Sequence, residues 1–244
     1  MGSNLANIGL ILGVTALVRP LDVRERVVWR EMPLMLLVTL ALYPLAWDGV
    51  LSRGDGVLLL FALVAYLIFV FYSVEDEAPE ILGEYEEFMK ESDRTTSLVS
   101  GTDVLWVIAG SVCLVLGGIC IVEGAVEIAS SLGISEVVIG LTVVAVGTSL
   151  PELATSLVAA LRSEADIAVG NVIGSNIFNV AAILGTASVV SPLAIPSHVL
   201  TRELVVVVAM SLLLFPILRT GWRIRRWEGA LLLACYVGAV TWLL

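Results

Sequence analysis

Apolar residues run through this chain in long uninterrupted stretches, broken by short polar turns and one long polar segment. Eight stretches can be drawn, at residues 4–18, 31–47, 56–73, 104–128, 136–161, 167–190, 200–218 and 228–244. Several reach the ~20 residues that a helix needs to cross ~30 Å of hydrocarbon, although the first is short. The expected fold is therefore all-α, a polytopic membrane protein with eight spans. Residues 1–18 have neither the basic head nor the cleavage site of a secretory leader, so they read as a span. The polar segment, residues 74–103, holds ten acids against Lys90 and Arg94 and reads as a solvated linker.

Comparing residue n with n+172 exposes an internal repeat. Gly2-Ser3-Asn4 falls on Gly174-Ser175-Asn176, Asn7 on Asn179, and Ile11-Leu12-Gly13 on Ile183-Leu184-Gly185. The match continues at Pro20/Pro192, Arg30-Glu31/Arg202-Glu203 and Pro44/Pro216, then slips by one to Gly56/Gly229. The two copies of the Gly-Ser-Asn helix are the first and sixth spans, so they cross in opposite directions. This is the pattern of an inverted-topology repeat, in which transporter sites lie near the midplane between the halves. Counterparts of Val104 and Glu152 would fall before Met1. The expected organisation is an incomplete first repeat of three helices (1–73), the linker (74–103) and a complete second repeat of five helices (104–244). A late-assigned start, a truncated gene or a fragment would each give that arrangement.

Charge supplies an orientation. Arg19, Arg24, Arg26, Arg30, Lys90, Arg94, Arg162, Arg219, Arg223, Arg225 and Arg226 share one side of an alternating path, against Arg53 and Arg202 on the other. This bias of eleven to two places the first side in the cytoplasm, with both termini outside and the linker 74–103 inside. Trp29, Trp47, Trp222 and Trp227 fall at span ends, where interfacial belts lie. Hydrophobic residues make up 59% of the chain and mean hydropathy is +1.01, which argues against a single aqueous domain. A net charge of −10 argues against a nucleic-acid partner. Cys113, Cys120 and Cys235 lack metal-ligand spacing and are expected as buried, inert thiols.

The chemistry concentrates in residues 140–179. One apolar helix carries Thr148, Ser149, Pro151 and Glu152; the next carries Asn171, Ser175, Asn176 and Asn179. Proline in a helix interior removes a backbone hydrogen bond and clashes with the carbonyl four residues back. The first helix should open around residues 146–150 and free carbonyl oxygens beside Glu152. An acid at a membrane-helix centre costs about 2.5–3.5 kcal/mol on the insertion scale, which marks Glu152 as functional. Carboxylates, hydroxyls and carbonyls are the ligands of hard cations such as Ca²⁺. Asn171, Ser175 and Asn179 form one polar stripe, and Gly170 and Gly174 a small-residue surface for close helix approach. Serine and asparagine in such helices also serve as interhelical hydrogen-bonders, the plainer role for Ser3 and Asn176. Glu123 and Glu127 are expected as interfacial acids, and His198 as a solvated loop residue.

These residues carry a resemblance. Residues 140–152, GLTVVAVGTSLPE, followed by 170–179, GNVIGSNIFN, resemble the second α-repeat of the sodium/calcium exchanger family of cation/Ca²⁺ antiporters. Residues 2–7, GSNLAN, resemble the end of that family's first α-repeat. The resemblance implies a ten-helix fold of two inverted five-helix repeats, of which eight spans stand in this chain. It implies a transporter rather than an enzyme, with no cofactor, moving Ca²⁺ against Na⁺ through one set of overlapping sites. By motif, Glu152 would be the carboxylate shared by both ions. Thr148 and Ser149 would add hydroxyl or carbonyl oxygens, and Ala145 a backbone carbonyl. Ser175 and Asn179 would line the facing helix, with Ser3 and Asn7 as their first-repeat equivalents. Some members carry an acid where this chain has Asn179, which leaves one intramembrane carboxylate here to face a divalent ion. A Ca²⁺/H⁺ or other cation antiporter of the same fold, and a non-transporting fragment in the membrane, stand as alternatives.

Overall fold

The apolar stretches form helices in the computed structural model, which describes residues 1–75, 101–134 and 139–243. In chain order these are α1 (Gly2–Val18), α2 (Val27–Leu45), α3 (Arg53–Glu75), α4 (Gly101–Ser131), α5 (Gly140–Thr148), α6 (Leu150–Leu161), α7 (Ala165–Val190), α8 (Val199–Arg219) and α9 (Arg226–Leu243). Among the described residues α2, α3, α4, α7 and α8 are long and apolar enough to cross a bilayer, and the bent pair α5–α6 adds a sixth if counted as one span. The first helix is a shorter apolar one. Most of the expected linker, residues 76–100, lies outside the described residues. Its two ends are helical, since α3 runs to Glu75 and α4 begins at Gly101.

Two short antiparallel ribbons show the inverted symmetry. In one, β1 (Leu21–Asp22) pairs with β4 (Arg223–Ile224), Leu21 opposite Ile224. In the other, β2 (Val50–Leu51) pairs with β3 (Leu193–Ala194), Leu51 opposite Leu193. Leu193 stands 172 positions after Leu21, and Ile224 stands 173 after Leu51, so each ribbon is the image of the other. The helix crossings obey the same rule. Where α9 meets α1, a Cβ on Gly229 would lie 2.8 Å from the Gly13 carbonyl; where α3 meets α7, one on Gly56 would lie 2.7 Å from the Gly185 carbonyl. Small residues bring these backbones together, as membrane helix pairs do without a hydrophobic drive between them. Caps follow as well: Asp55 accepts the Ser52 backbone N–H at 2.9 Å, and the buried Glu228 accepts that of Arg225 at 2.7 Å.

Local sequence explains the ends. Pro20 and Pro192 stand two residues beyond the last helical residues Val18 and Val190, where a residue without an N–H cannot continue a helix. Both α1 and α7 relax into π-helical turns that begin at Asn7 and Asn179. Such turns occur frequently at functional sites. The buried core lies between α1, α2, α7 and α8, around Ile8, Ile11, Met35, Ile173, Ile177 and Leu214. By contrast only 6% of the apolar window of α4 and 11% of that of α3 is buried, leaving outward faces suited to lipid.

The cysteines are a correction. Cys113 and Cys120 are exposed and Cys235 is only partly buried, because α4 and α9 turn much of their apolar surface outward. Apolar neighbours in sequence do not mean protein neighbours when the solvent is itself apolar.

Candidate functional site

Proline sets the geometry. Pro151 sits in the first turn of the second half-helix, and the axis between residues 142–148 and 150–161 turns by 48°. Ser149 is the joint, with φ −96° and ψ 3°. The break falls where the sequence places it, but fewer carbonyls are released than expected. Val146 O accepts the Ser149 N–H at 3.0 Å, Ser149 O accepts that of Leu153 at 2.9 Å, and Ala145 O receives the Thr148 hydroxyl at 3.1 Å. A carbonyl has two lone pairs, so these oxygens keep some capacity to coordinate.

Glu152 projects from the first turn of α6, and its Oε2 is buried without a hydrogen-bond partner. Its backbone carbonyl is held by Asn171 Nδ2 at 3.2 Å; the same amide donates to Ser156 Oγ at 3.0 Å. These contacts fix α6 on α7 independently of the carboxylate. The α6–α7 turn is fastened to the first half by Arg24 and Asp166, 2.7 Å apart, and by Arg19 Nη1 donating to the Leu161 carbonyl at 2.9 Å.

Two cavities meet at Glu152. One, of about 350 Å³, is lined by Glu152, Asn171, Ser175 and Asn179, with Tyr66 and Leu63 of α3 opposite. The other, of about 550 Å³, lies against α4 and is lined by Glu152, Thr148, Pro151, Gly118 and Glu123. Gly147 lets α4 approach, since a Cβ there would fall on the Val122 side chain. A third cavity of about 150 Å³ is lined by Ser3, Asn4 and Asn179.

The sequence-predicted residues are therefore only partly gathered. Glu152, Ser175 and Asn179 share one cavity, Thr148 joins Glu152 in the second, and Ser3 joins Asn179 in the third, where Asn179 Nδ2 donates to Ser3 Oγ at 3.3 Å. Ser149 is buried at the joint, and neither it nor Ala145 lines these cavities. Asn7 is buried in the helix interface, its Oδ1 another partnerless oxygen. Buried polar atoms are nearly always satisfied, so the unpaired oxygens of Glu152, Asn7 and Thr15 are open to a partner such as water or an ion, and of these only Glu152 lines the cavities. Among the described residues no three His, Cys, Asp or Glu side chains cluster for a metal. In the cavity that Glu152 shares with Asn171, Ser175 and Asn179 the donors are one carboxylate and neutral oxygens, ligand types that hard cations take.

Sequence reasoning gives one contributor, Asn4, no role and Glu123 a plainer one, while Asn176 takes the interhelical role expected of it. Glu123, expected as an interfacial acid, lines the same cavity as Glu152. Asn4 and Asn176 bind the inverted helices together: Asn179 Nδ2 donates to Asn4 Oδ1 at 2.9 Å and Asn7 Nδ2 to Asn176 Oδ1 at 3.0 Å. The repeat offset held the signal, because 4/176 and 7/179 are equivalent positions.

Known proteins share this architecture. Residues 1–72 and 102–244 match the family model described as sodium/calcium exchanger protein. The putative antiporter CaxA of Alkalimonas amylolytica is 40% identical over 243 residues, an alignment covering 98% of this chain and 75% of that relative. The inner membrane protein YrbG of Escherichia coli (strain K12) is 38% identical over 216 residues, covering 87% and 65% respectively. The solved structure of the sodium-calcium exchanger NCX_Mj soaked with Na⁺ and Ca²⁺ superposes with a TM-score of 0.74 at 33% identity, covering 98% of this chain and 73% of that one.

Proposed function

Because this chain belongs to the sodium/calcium exchanger family, whose members are integral-membrane cation antiporters, we propose that it exchanges Ca²⁺ for Na⁺ by alternating access. The observation that carries the reading is the buried, unpaired carboxylate oxygen of Glu152 where the two larger cavities meet. Glu152 supplies the charge that both ions compete for. Thr148, Ser175 and Asn179 share its two cavities and offer neutral oxygens that replace part of the hydration shell. Ser3, which shares a cavity with Asn179, and Asn7, whose Oδ1 is unpaired, extend the set, and Ser149 and Ala145 at the joint would join it only by turning toward the ion. Inverted-repeat transporters hold their site near the midplane between the halves, where rocking of one half against the other opens it to each side in turn.

The test is uptake of radiolabelled Ca²⁺ into vesicles carrying the protein. An outward Na⁺ gradient should drive accumulation, and a pH gradient alone should not. Uptake driven only by the pH gradient would assign a Ca²⁺/H⁺ antiporter, and no uptake under either gradient would sink the transport reading.

In this reading residues 1–73 supply three helices of the first inverted repeat and residues 104–244 the five of the second, joined by a cytoplasmic linker at 74–103 with both termini outside. The arginine bias of the loops supports that orientation. A cysteine at position 92, in a chain lacking Cys113, Cys120 and Cys235, should resist a membrane-impermeant thiol reagent in intact cells. It should react in inside-out vesicles. Efficient labelling from outside would reverse the topology.

A further inference from the structure

The asparagine pairs that join α1 to α7 are related by the repeat, yet they are anchored differently. Asn4 and Asn176 each accept a hydrogen bond through Oδ1, from Asn179 and Asn7 respectively, and each must place its own NH₂ elsewhere. Asn4 Nδ2 donates to the backbone carbonyl of Asn176 at 3.2 Å. Asn176 Nδ2 instead points to Met35 Sδ of α2 at 3.5 Å. Met35 is 1% exposed, and the residue 172 positions on is Val207, which offers no acceptor.

A carboxamide turned by half a revolution exchanges its donor and acceptor. For Asn4 that would set Oδ1 against a backbone carbonyl, two acceptors face to face. The Asn7–Asn176 pair could reverse together and keep its mutual hydrogen bond, Asn176 Nδ2 then donating to Asn7 Oδ1. The reversed pair would put Asn7 Nδ2 where its unpaired Oδ1 now lies. The thioether opposes this, because its sulfur accepts a hydrogen bond and has no hydrogen to give.

We propose that Met35 is a positioning residue that fixes the carboxamide of Asn176, and through it that of Asn7, so that Asn7 presents its oxygen rather than its NH₂ to the transported cation. The proposal rests on the reading of Asn7 as a cation ligand. A carbonyl dipole attracts Ca²⁺ or Na⁺ and an amide NH₂ repels it, so a reversal converts a ligand into a barrier. The device is one-sided: the first-repeat asparagine depends on a weak sulfur acceptor, whereas the Asn4–Asn179 pair is locked by a backbone.

The experiment is a titration of Ca²⁺ into the purified full chain, with its Met35→Leu, Asn7→Ala and doubly substituted forms. Leucine conserves volume and removes the acceptor, a swap that cores tolerate well. Met35→Leu should weaken Ca²⁺ binding by about threefold to tenfold, the scale of one lost hydrogen-bond bias, with an unchanged thermal midpoint. Met35→Ile, also without an acceptor, should repeat the loss and serves if the leucine variant folds poorly. In the Asn7→Ala background Met35→Leu should have no further effect, because the group it orients is gone. An equal loss in that background, or unchanged affinity in both folded Met35 variants, overturns the proposal. Asn7→Ala with undiminished Ca²⁺ affinity would instead remove Asn7 from the site, a separate failure.

Discussion

Glu152→Gln abolishes Na⁺-driven Ca²⁺ uptake while the protein continues to fold: that is the expected result with the largest functional effect. Glutamine keeps the shape of the side chain and removes its charge. A divalent ion leaving water for a low-dielectric cavity needs carboxylate to offset its lost hydration. Removing one partner of a buried charge pair costs about 3–5 kcal/mol, which translates to roughly a hundredfold to several thousandfold in Ca²⁺ affinity. Folding should be spared because the contacts holding α6 to α7 use the Glu152 backbone carbonyl, Asn171 and Ser156 rather than the carboxylate. Without Ca²⁺ the variant should melt at or above the unsubstituted protein, since an unpaired buried oxygen has become part of a neutral group. Binding measured by titration and melting measured in detergent read these two effects apart. A well-folded Glu152→Gln protein with intact uptake would place the ion pathway elsewhere.

The largest effect on stability should come from Gly229→Val. A Cβ at Gly229 would meet the Gly13 carbonyl at 2.8 Å, Ala16 Cβ at 2.9 Å and Leu17 N at 3.2 Å, so two of its three nearest neighbours are backbone atoms of α1. No rotamer change can relieve that, and the helices must separate. Overpacking typically costs about 1–3 kcal/mol, and a rigid obstruction belongs at the upper end or beyond. In a chain of this size the thermal midpoint should drop by about 5–10 °C. Gly238→Val is the control: it lies on the same helix, and a Cβ there meets no heavy atom within 4 Å. It should be neutral or slightly stabilising, because valine is the better helix former. Equal losses at the two glycines would trace the effect to the helix itself rather than to the crossing.

Much of this protein is legible along the chain because its main constraints are local. Backbone groups in hydrocarbon must bond internally, so each long apolar stretch has little choice but to be a helix. Pro151 predicts a break in its helix, and the structure bends by 48° at that place, whereas Pro44 and Pro216, near the ends of α2 and α8, leave those helices unbroken. The offset of 172 predicts the inverted relation that the two ribbons and the two glycine crossings then display. Glu152 announces itself because an acid has no cheap place in a membrane helix.

Pairing across helices is another matter, since it depends on rotation and depth that sequence spacing leaves open. Asn4 and Asn179 bond to each other, as do Asn7 and Asn176, only because α1 and α7 cross in opposite directions with those turns level. Met35 reaches Asn176 from a third helix, 141 positions away, and nothing in its own surroundings in the chain sets it apart from its apolar neighbours. Glu123 and Glu152 line a common cavity because Gly147 lets α4 come close, a fact of packing rather than of composition. The cysteines show the same division: their apolar setting was plain in the sequence, but which apolar medium they face was decided by how the helices turned. The sequence by itself determined the helices, the bend and the repeat, because hydrogen bonding and desolvation act residue by residue. Only the tertiary structure decided which buried oxygens would be satisfied by the protein and which left free, because that choice belongs to pairs of atoms on different helices.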